Sequence, residues 1–343
     1  YRIENGHLVQ IDTPEGLFRK TESGWDKLDV EDEIAAHRSR SIGSNEKRLP
    51  NILSLITKDQ FELITSDPER PVIIQGSAGS GKTTVALHRL AWLLHEENSF
   101  AQAKNTQVLV MNRSLQIYVS ATLPSMGIEG VETATFNSWA MSIIRKVVRG
   151  RPFFKFHNVP SFVEEIKFSE EILNALDGWV EKQKQTLDNA VNEVFKKWPG
   201  QLKAWKKAEN KAILPRLKDF AHDVKESNLP KFDKDKCLEF LKRQIIDLED
   251  YVQDVYKLLA DIDHLKNYLP PDTKLDSHLD YLKRLTEKNQ AKNNLDYFDM
   301  SLILRLIQLK NGGLPDGSGG VVLLDHLVID EAQDFGPVEF AIM

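Results

Sequence analysis

Residues Gly76-Ser77-Ala78-Gly79-Ser80-Gly81-Lys82-Thr83 decide the fold. They satisfy the phosphate-loop pattern G-x-x-x-x-G-K-[ST] at every fixed position. Glycines let the backbone curl so that successive N–H groups converge on phosphate oxygens. Lys82 brings a point charge to the β- and γ-phosphates, and the Thr83 hydroxyl can sit on Mg²⁺. The flanks agree with this reading. Pro71-Val72-Ile73-Ile74-Gln75 is an apolar run expected to form a buried strand, and Thr84 to Leu94 has the pattern of a helix. The loop then delivers phosphate to a helix N-terminus. A glycine-rich turn without function is the bland alternative, and the strand–loop–helix order argues against it.

Far downstream, His326-Leu327-Val328-Ile329-Asp330-Glu331-Ala332-Gln333-Asp334 reads as an apolar strand ending in two carboxylates. A nucleotide hydrolase needs such a pair opposite its phosphate loop. Asp330 is expected to hold Mg²⁺, and Glu331 to orient and deprotonate the attacking water. Phosphoryl transfer is mostly positioning plus charge neutralisation, so few groups are required. An acidic surface turn after a strand is the competing explanation.

Together, residues 76–83 and the run Asp-Glu-Ala-Gln-Asp at 330–334 resemble superfamily 1 helicases of the UvrD/Rep/PcrA type. Ile56-Thr57-Lys58-Asp59-Gln60-Phe61 looks like their adenine-reading motif, with Gln60 as its glutamine. An amide side chain donates and accepts at once, which suits an adenine edge. Val108 to Ser114 looks like the strand and loop after the first crossover, including Asn112 and Arg113. Thr135-Phe136-Asn137-Ser138-Trp139-Ala140 resembles a segment near the single-strand path. The match covers about 51–150 and 295–343. Finer features, Thr83 to Arg89, Asn112-Arg113 and Leu123 to Gly127, are similar to the HelD-like branch, which is associated with bacterial RNA polymerase. Thr84 stands where UvrD proper usually has arginine. The resemblance implies a RecA-like parallel-sheet P-loop NTPase core, ATP and Mg²⁺ as cofactors, and nucleotide contacts from Gln60 and from Gly76 through Thr84. It implies catalytic roles for Lys82, Asp330 and Glu331. It also implies that Gln333 relays the state of the γ-phosphate, and that Asn112, Arg113, Thr135, Phe136 and Trp139 line the nucleic-acid path. For Trp139, burial against the sheet is the alternative.

The chain has 343 residues, 41% hydrophobic and 28% charged, as a globular protein of two domains or of one with a large insertion has. No apolar run is long enough to span a bilayer. The single cysteine, Cys237, excludes an intramolecular disulfide, so cytoplasm is the expected compartment. Cys237 lies in a helical pattern, where a small packed residue is expected rather than a reactive thiol. The nine histidines are scattered without metal spacing. Because the chain opens at Tyr1 and closes within an expected helix at Met343, it is expected to be a fragment of a longer protein. In that case a second core domain supplies the transition-state arginine, and this part alone hydrolyses nucleotide slowly or not at all.

Three regions are expected. Residues 1–50 form a lead-in of short strands, including Leu8 to Ile11 and Gly16 to Lys20, then a charged helix over 30–40. Residues 51–150 plus 291–343 alternate helix and strand, an α/β core with a parallel sheet and with Val131 to Thr135 as its third strand. Residues 151–290 read as a helical insertion. Leu187, Val191, Val194, Trp198, Leu202 and Trp205 repeat at helical spacing, as do Ile245, Leu248, Val252, Val255, Leu258, Ile262 and Leu265. By position, the resemblance places an accessory domain of the 1B type here. Leu295 to Leu309 is expected to return to the core as a helix.

The net charge of −6 conceals two opposed stretches. Residues 182–218 carry ten basic and three acidic side chains, and residues 244–282 carry three basic and nine acidic. Lys196-Lys197-Trp198 and Trp205-Lys206-Lys207 interleave aromatics with charge, as a single-strand-binding surface does. Two alternatives remain open: pairing with the acidic stretch, and docking to a protein partner. Two functions stay in view as well. One is an ATP-driven motor on single-stranded DNA or RNA. The other is an ATP-dependent remodelling factor for a large partner such as RNA polymerase.

Overall fold

The computed structural model describes residues 2–4, 7–13, 16–21, 24–27, 56–148, 150, 153–155 and 159–343. Two compact units divide the chain. The first comprises residues 1–133 with 324–330, and the second 134–323 with 331–343.

In the first unit, β1 (Arg2–Glu4), β2 (His7–Thr13), β3 (Gly16–Thr21) and β4 (Gly24–Lys27) make an antiparallel sheet in sequential order. Both expected lead-in strands are present, as β2 and β3. The helix expected over 30–40 lies outside the described residues. Next come α1 (Lys58–Ile64), α2 (Lys82–Leu93), β5 (Thr106–Val110), α3 (Arg113–Ser125) and β6 (Glu132–Thr135), whose last two residues fall in the second unit. All five residues of β5 are buried, as a parallel strand covered on both faces requires. Leu87 and Leu90 from α2, Val108 and Val110 from β5, and Val119 and Leu123 from α3 form the core.

The second unit is almost wholly helical. It begins at β6's end with α4 (Phe136–Val147), β7 (Phe153–Lys155), α5 (Ser161–Phe168), α6 (Glu170–Val194), α7 (Pro199–Lys207) and α8 (Ile213–Glu226). Then follow α9 (Lys231–Leu248), α10 (Tyr251–Ala260), α11 (Ile262–Lys266), α12 (Leu275–Ala291), β8 (Asn294–Asp296) and α13 (Asp299–Asn311). After β9 (His326–Ile329) of the first unit, α14 (Pro337–Ile342) completes the second. It includes α4, α13 and α14, segments that the sequence pattern assigns to the core. α13 lies at its centre. Leu302, Ile303, Leu304, Leu306 and Ile307 are all inaccessible, so the helix is apolar nearly all round.

The strand order β6-β5-β9 gives the parallel α/β sheet expected from the sequence. β9 pairs with β5 from Thr106↔His326 to Leu109↔Ile329. Asp325 fixes this register: its N–H donates to the Asn105 carbonyl at 2.8 Å, and its carboxylate accepts from the Gln102 N–H at 3.0 Å.

Two expectations need correction. First, residues 71–75 belong to no sheet, and Ile73 is 93% exposed. Val72 and Ile74 are half-buried, and Ile74 packs on the cluster of Ile56, Ile64 and Val85. A strand also needs a hydrogen-bonded neighbour, and among the described residues none pairs with this run. Second, residues 294–296 begin no helix. They form β8, parallel to β7 with Phe153↔Asn294 and Lys155↔Asp296, in a region where no strand is legible. The apolar row from Leu187 to Trp205 runs along α6 and on into α7, with the break at Pro199, which opens the second helix.

Two buried ionic clusters fasten the helical unit. The Lys167 ammonium donates to Asp296 and, at 2.6 Å, to Asp299. The same carboxylates cap the turn between them, each accepting from the other's backbone N–H at 2.8 and 3.2 Å. Burial drives Asp299 up to about 6 despite Lys167, and the neighbouring Asp296 adds to the rise. Burial also pulls Lys167 down, but the two aspartates outweigh it and hold the ammonium above its ordinary value. Lys310, fully inaccessible, donates to the Leu248 carbonyl at 2.9 Å and to Asp254. Asp254 accepts a further bond from Gln183 at 2.8 Å.

Candidate functional site

The phosphate loop takes its shape from its glycines. Gly81, at φ 83° and ψ 17°, is the N-cap of α2, a left-handed geometry that side chains resist. A Cβ on Gly76 would meet the Ser80 hydroxyl at 2.5 Å. The 12-residue helix α2 begins at Lys82 with no side-chain cap, so its first-turn N–H groups are left to an anion. The Lys82 ammonium bonds back to the loop carbonyls of Gly76 and Ser77 at 3.2 and 3.1 Å. Thr84 lies in the first turn of the helix.

At the end of β9, the Asp330 N–H donates to the Leu109 carbonyl at 2.9 Å, which carries the β5 pairing one residue further. The Thr83 hydroxyl donates to the Asp330 carboxylate, at 3.0 and 3.2 Å from its two oxygens. The two residues are 247 positions apart. Hard oxygen donors in this arrangement suit a Mg²⁺ ion shared with phosphate oxygens. No group of three or more carboxylates, imidazoles or thiolates gathers among the described residues. A metal that completes its shell from phosphate and water needs no such cluster.

Gln60 also meets the loop. Its side-chain amide donates to the Ser80 carbonyl at 3.1 Å, and its carbonyl oxygen accepts from the Thr57 N–H at 3.1 Å. The second bond belongs to a capping box at the start of α1.

The remaining acidic-motif residues belong to the second unit. Glu331 adopts φ 54° and ψ 44°, one of two non-glycine residues with positive φ among those described. Such backbone strain concentrates at functional positions. The Gln333 amide donates to the Glu331 carboxylate, orienting it.

The residues expected along a nucleic-acid path differ in exposure. Asn112 and Arg113 are exposed. Asn112 caps α3 by accepting from the Leu115 N–H at 3.0 Å, and Arg113 donates to Gln116 at 3.1 Å. Thr135 is half-buried and caps α4. Phe136 and Trp139 are buried, Trp139 only 7% exposed, with ring centroids 5.8 Å apart. Phe136 packs edge-on against Phe335 at 5.8 Å. For Trp139, burial is the geometry observed.

The family model for the UvrD/REP helicase N-terminal domain matches residues 56–343. The chain belongs to this family. No curated relative matches the chain. UvrD-type domains of this kind are helicase ATPases in general. Among the described residues no helix is long and apolar enough to cross a membrane.

Sequence reasoning missed Arg89. Only 4% exposed, it donates to the carbonyls of Leu63, Ile64, Ser66 and Asp67 at 2.9–3.3 Å. A signal was present: Arg89 stands four residues from each of Val85 and Leu93, within the buried stripe of α2.

The basic stretch of the UvrD-type chain divides by exposure. Trp205 is buried, donates to Asp188 at 2.7 Å, and lies under the Arg216 guanidinium at 3.7 Å. Lys182 pairs with Asp261 at 3.3 Å and Lys218 with Glu249 at 2.8 Å, so part of the charge meets the acidic stretch. Lys197, Lys203, Lys206 and Lys207 are exposed and make no ion pair with the described residues.

Proposed function

We propose that this chain is the ATP-binding and hydrolysing part of a superfamily 1 motor that acts on single-stranded DNA or RNA. One observation carries the reading: the Thr83 hydroxyl and the Asp330 carboxylate meet at the foot of the phosphate loop. ATP occupies the loop from Gly76 through Thr84, and Lys82 neutralises charge on its β- and γ-phosphates. Thr83 and Asp330 hold Mg²⁺, which supplies further neutralisation when bound. Glu331 orients and deprotonates the attacking water, and its strained backbone supports a role in chemistry. Gln60 reads adenine, and Gln333 relays the state of the γ-phosphate through its bond to Glu331. Asn112, Arg113 and Thr135 face the nucleic acid, while Phe136 and Trp139 support that path from within the packing. Residues 151–290 form an accessory insertion of the 1B type within the core formed by 51–150 and 291–343. The protein works in the cytoplasm.

The test is equilibrium binding of fluorescent ATP with and without Mg²⁺, together with ATPase assays with and without single-stranded DNA and RNA. Lys82→Ala should abolish tight binding. Binding unaffected by Lys82→Ala, or equal for ATP and for a nucleotide lacking the γ-phosphate and Mg²⁺, overturns the proposal.

A second reading is supported by Thr84, which stands where arginine is usual in UvrD proper. Here the chain is part of a HelD-like factor that uses ATP to remodel RNA polymerase. Pulldown of RNA polymerase that depends on residues 151–290, without strand displacement, selects this reading. Displacement without a partner selects the motor.

A further inference from the structure

We infer that Arg89 is a positioning residue for the nucleotide's base: it seats helix α1, and through it Gln60, against the phosphate loop. The inference rests on the adenine-reading role proposed for Gln60.

Helix α1 has seven residues, too few to hold its own geometry in water. It is fastened at both ends to the segment that carries the phosphate loop. At its N-terminus, Gln60 donates to the Ser80 carbonyl. At its C-terminus, the Arg89 guanidinium reaches from α2 to the last-turn carbonyls of Leu63 and Ile64 at 3.1 and 3.3 Å. It continues to the Ser66 carbonyl and hydroxyl and to the Asp67 carbonyl, all at 2.9 Å. A buried cation at a helix C-terminus also complements the helix dipole. Between the two fastenings, Ile56 and Ile64 pack on Val85 of α2.

The side chain is specific for this task. Its planar fork reaches four backbone carbonyls within residues 63–67, which a lysine ammonium cannot reach from one point. Without the fork, the carbonyls of Ile64, Ser66 and Asp67 lose this donor in a partly buried place, and the C-terminal end of α1 is released. Gln60 lies about one helical turn away, so a small rotation of α1 displaces its amide from the base. The phosphates are held by other residues, so they should not respond.

The experiment compares ATP with inorganic tripolyphosphate, which has the phosphates but no base, by calorimetry on the purified chain. Variants are Arg89→Lys, Gln60→Ala and the double variant, with melting curves to confirm folding. The wild type is expected to prefer ATP by about tenfold, the worth of one or two good hydrogen bonds. Arg89→Lys should erase most of that preference and leave tripolyphosphate affinity unchanged. In the double variant ATP binding should be no weaker than in Gln60→Ala, because the arginine acts through the glutamine. Ser66→Ala, which keeps the guanidinium and removes one acceptor, should shift the preference in the same direction by about twofold if Arg89→Lys does not fold. A folded Arg89→Lys with wild-type preference, a tripolyphosphate loss equal to the ATP loss, or additive effects in the double variant overturns the inference. A wild type that binds ATP no better than tripolyphosphate instead removes the adenine reading itself, and this inference with it.

Discussion

Replacing Thr83 with valine tests the junction of loop and acidic strand most directly. The substitution keeps the β-branched shape and removes one hydroxyl. That hydroxyl donates to both oxygens of Asp330, at 3.0 and 3.2 Å, in a partly buried place. A hydrogen bond to a charged group contributes about 1.5–3 kcal/mol, so its loss corresponds to roughly 10- to 150-fold. If the pair shares a metal ion, the loss should appear in Mg²⁺-dependent nucleotide affinity. It should be nearly absent when binding is measured in chelator. Asp330→Asn should produce a comparable loss, and the double variant should fall well short of the sum of the two, because both groups serve one ion. Fluorescent-nucleotide titration across Mg²⁺ concentrations reads all three quantities. Equal losses with and without Mg²⁺, or strict additivity, would mean that the bond only ties β9 to α2, and the metal assignment would fail.

Three further outcomes follow from the packing and surface. Lys310→Met should destabilise the helical unit by about 3–5 kcal/mol in urea unfolding, since it strands the buried Asp254 carboxylate; a cost below about 1 kcal/mol contradicts the buried pairing. Asp299 has its folded pKa raised from 3.8 to about 6, so its stabilising contribution is present below about pH 4 and is lost as pH rises toward 6. The stability advantage of wild type over Asp299→Asn should therefore shrink across that window, and a constant difference from pH 4 to 7 refutes the assignment. If Lys197, Lys203, Lys206 and Lys207 meet phosphates, changing Lys206 and Lys207 to alanine should lower the salt slope of nucleic-acid binding by about 1–2, whereas an unchanged slope points to another partner.

The phosphate loop, its helix and the acidic strand were legible because their signals are local and tied to fixed spacing. β6 was legible for the same reason, lying between two helical patterns. The run Pro71–Gln75 misled because apolar composition records a tendency to be buried, whereas a ladder depends on a partner elsewhere. The parallel pair β7–β8 was invisible because each strand has three residues and takes its identity from the other, about 140 positions away. Trp139 could stack on a base or pack, and its burial beside Phe136, which in turn meets Phe335, comes from contacts a linear reading does not contain. Arg89 and Lys310 were hidden for a different reason. Charged side chains on helices are usually solvated, and only their partners reveal that these two are not.

The pairing of β5 with β9 also bears on how the protein is made. Thr106 and His326 lie 220 residues apart, so the ribosome releases one strand well before the other exists. At 5–20 residues per second the delay is on the order of ten to forty seconds. Throughout that interval an apolar β-strand waits with a bare edge, the kind of surface that captures neighbouring nascent chains. Its escape from aggregation depends on α2 and α3 packing early on Val108 and Val110, or on a chaperone that holds the edge until translation delivers the missing strand.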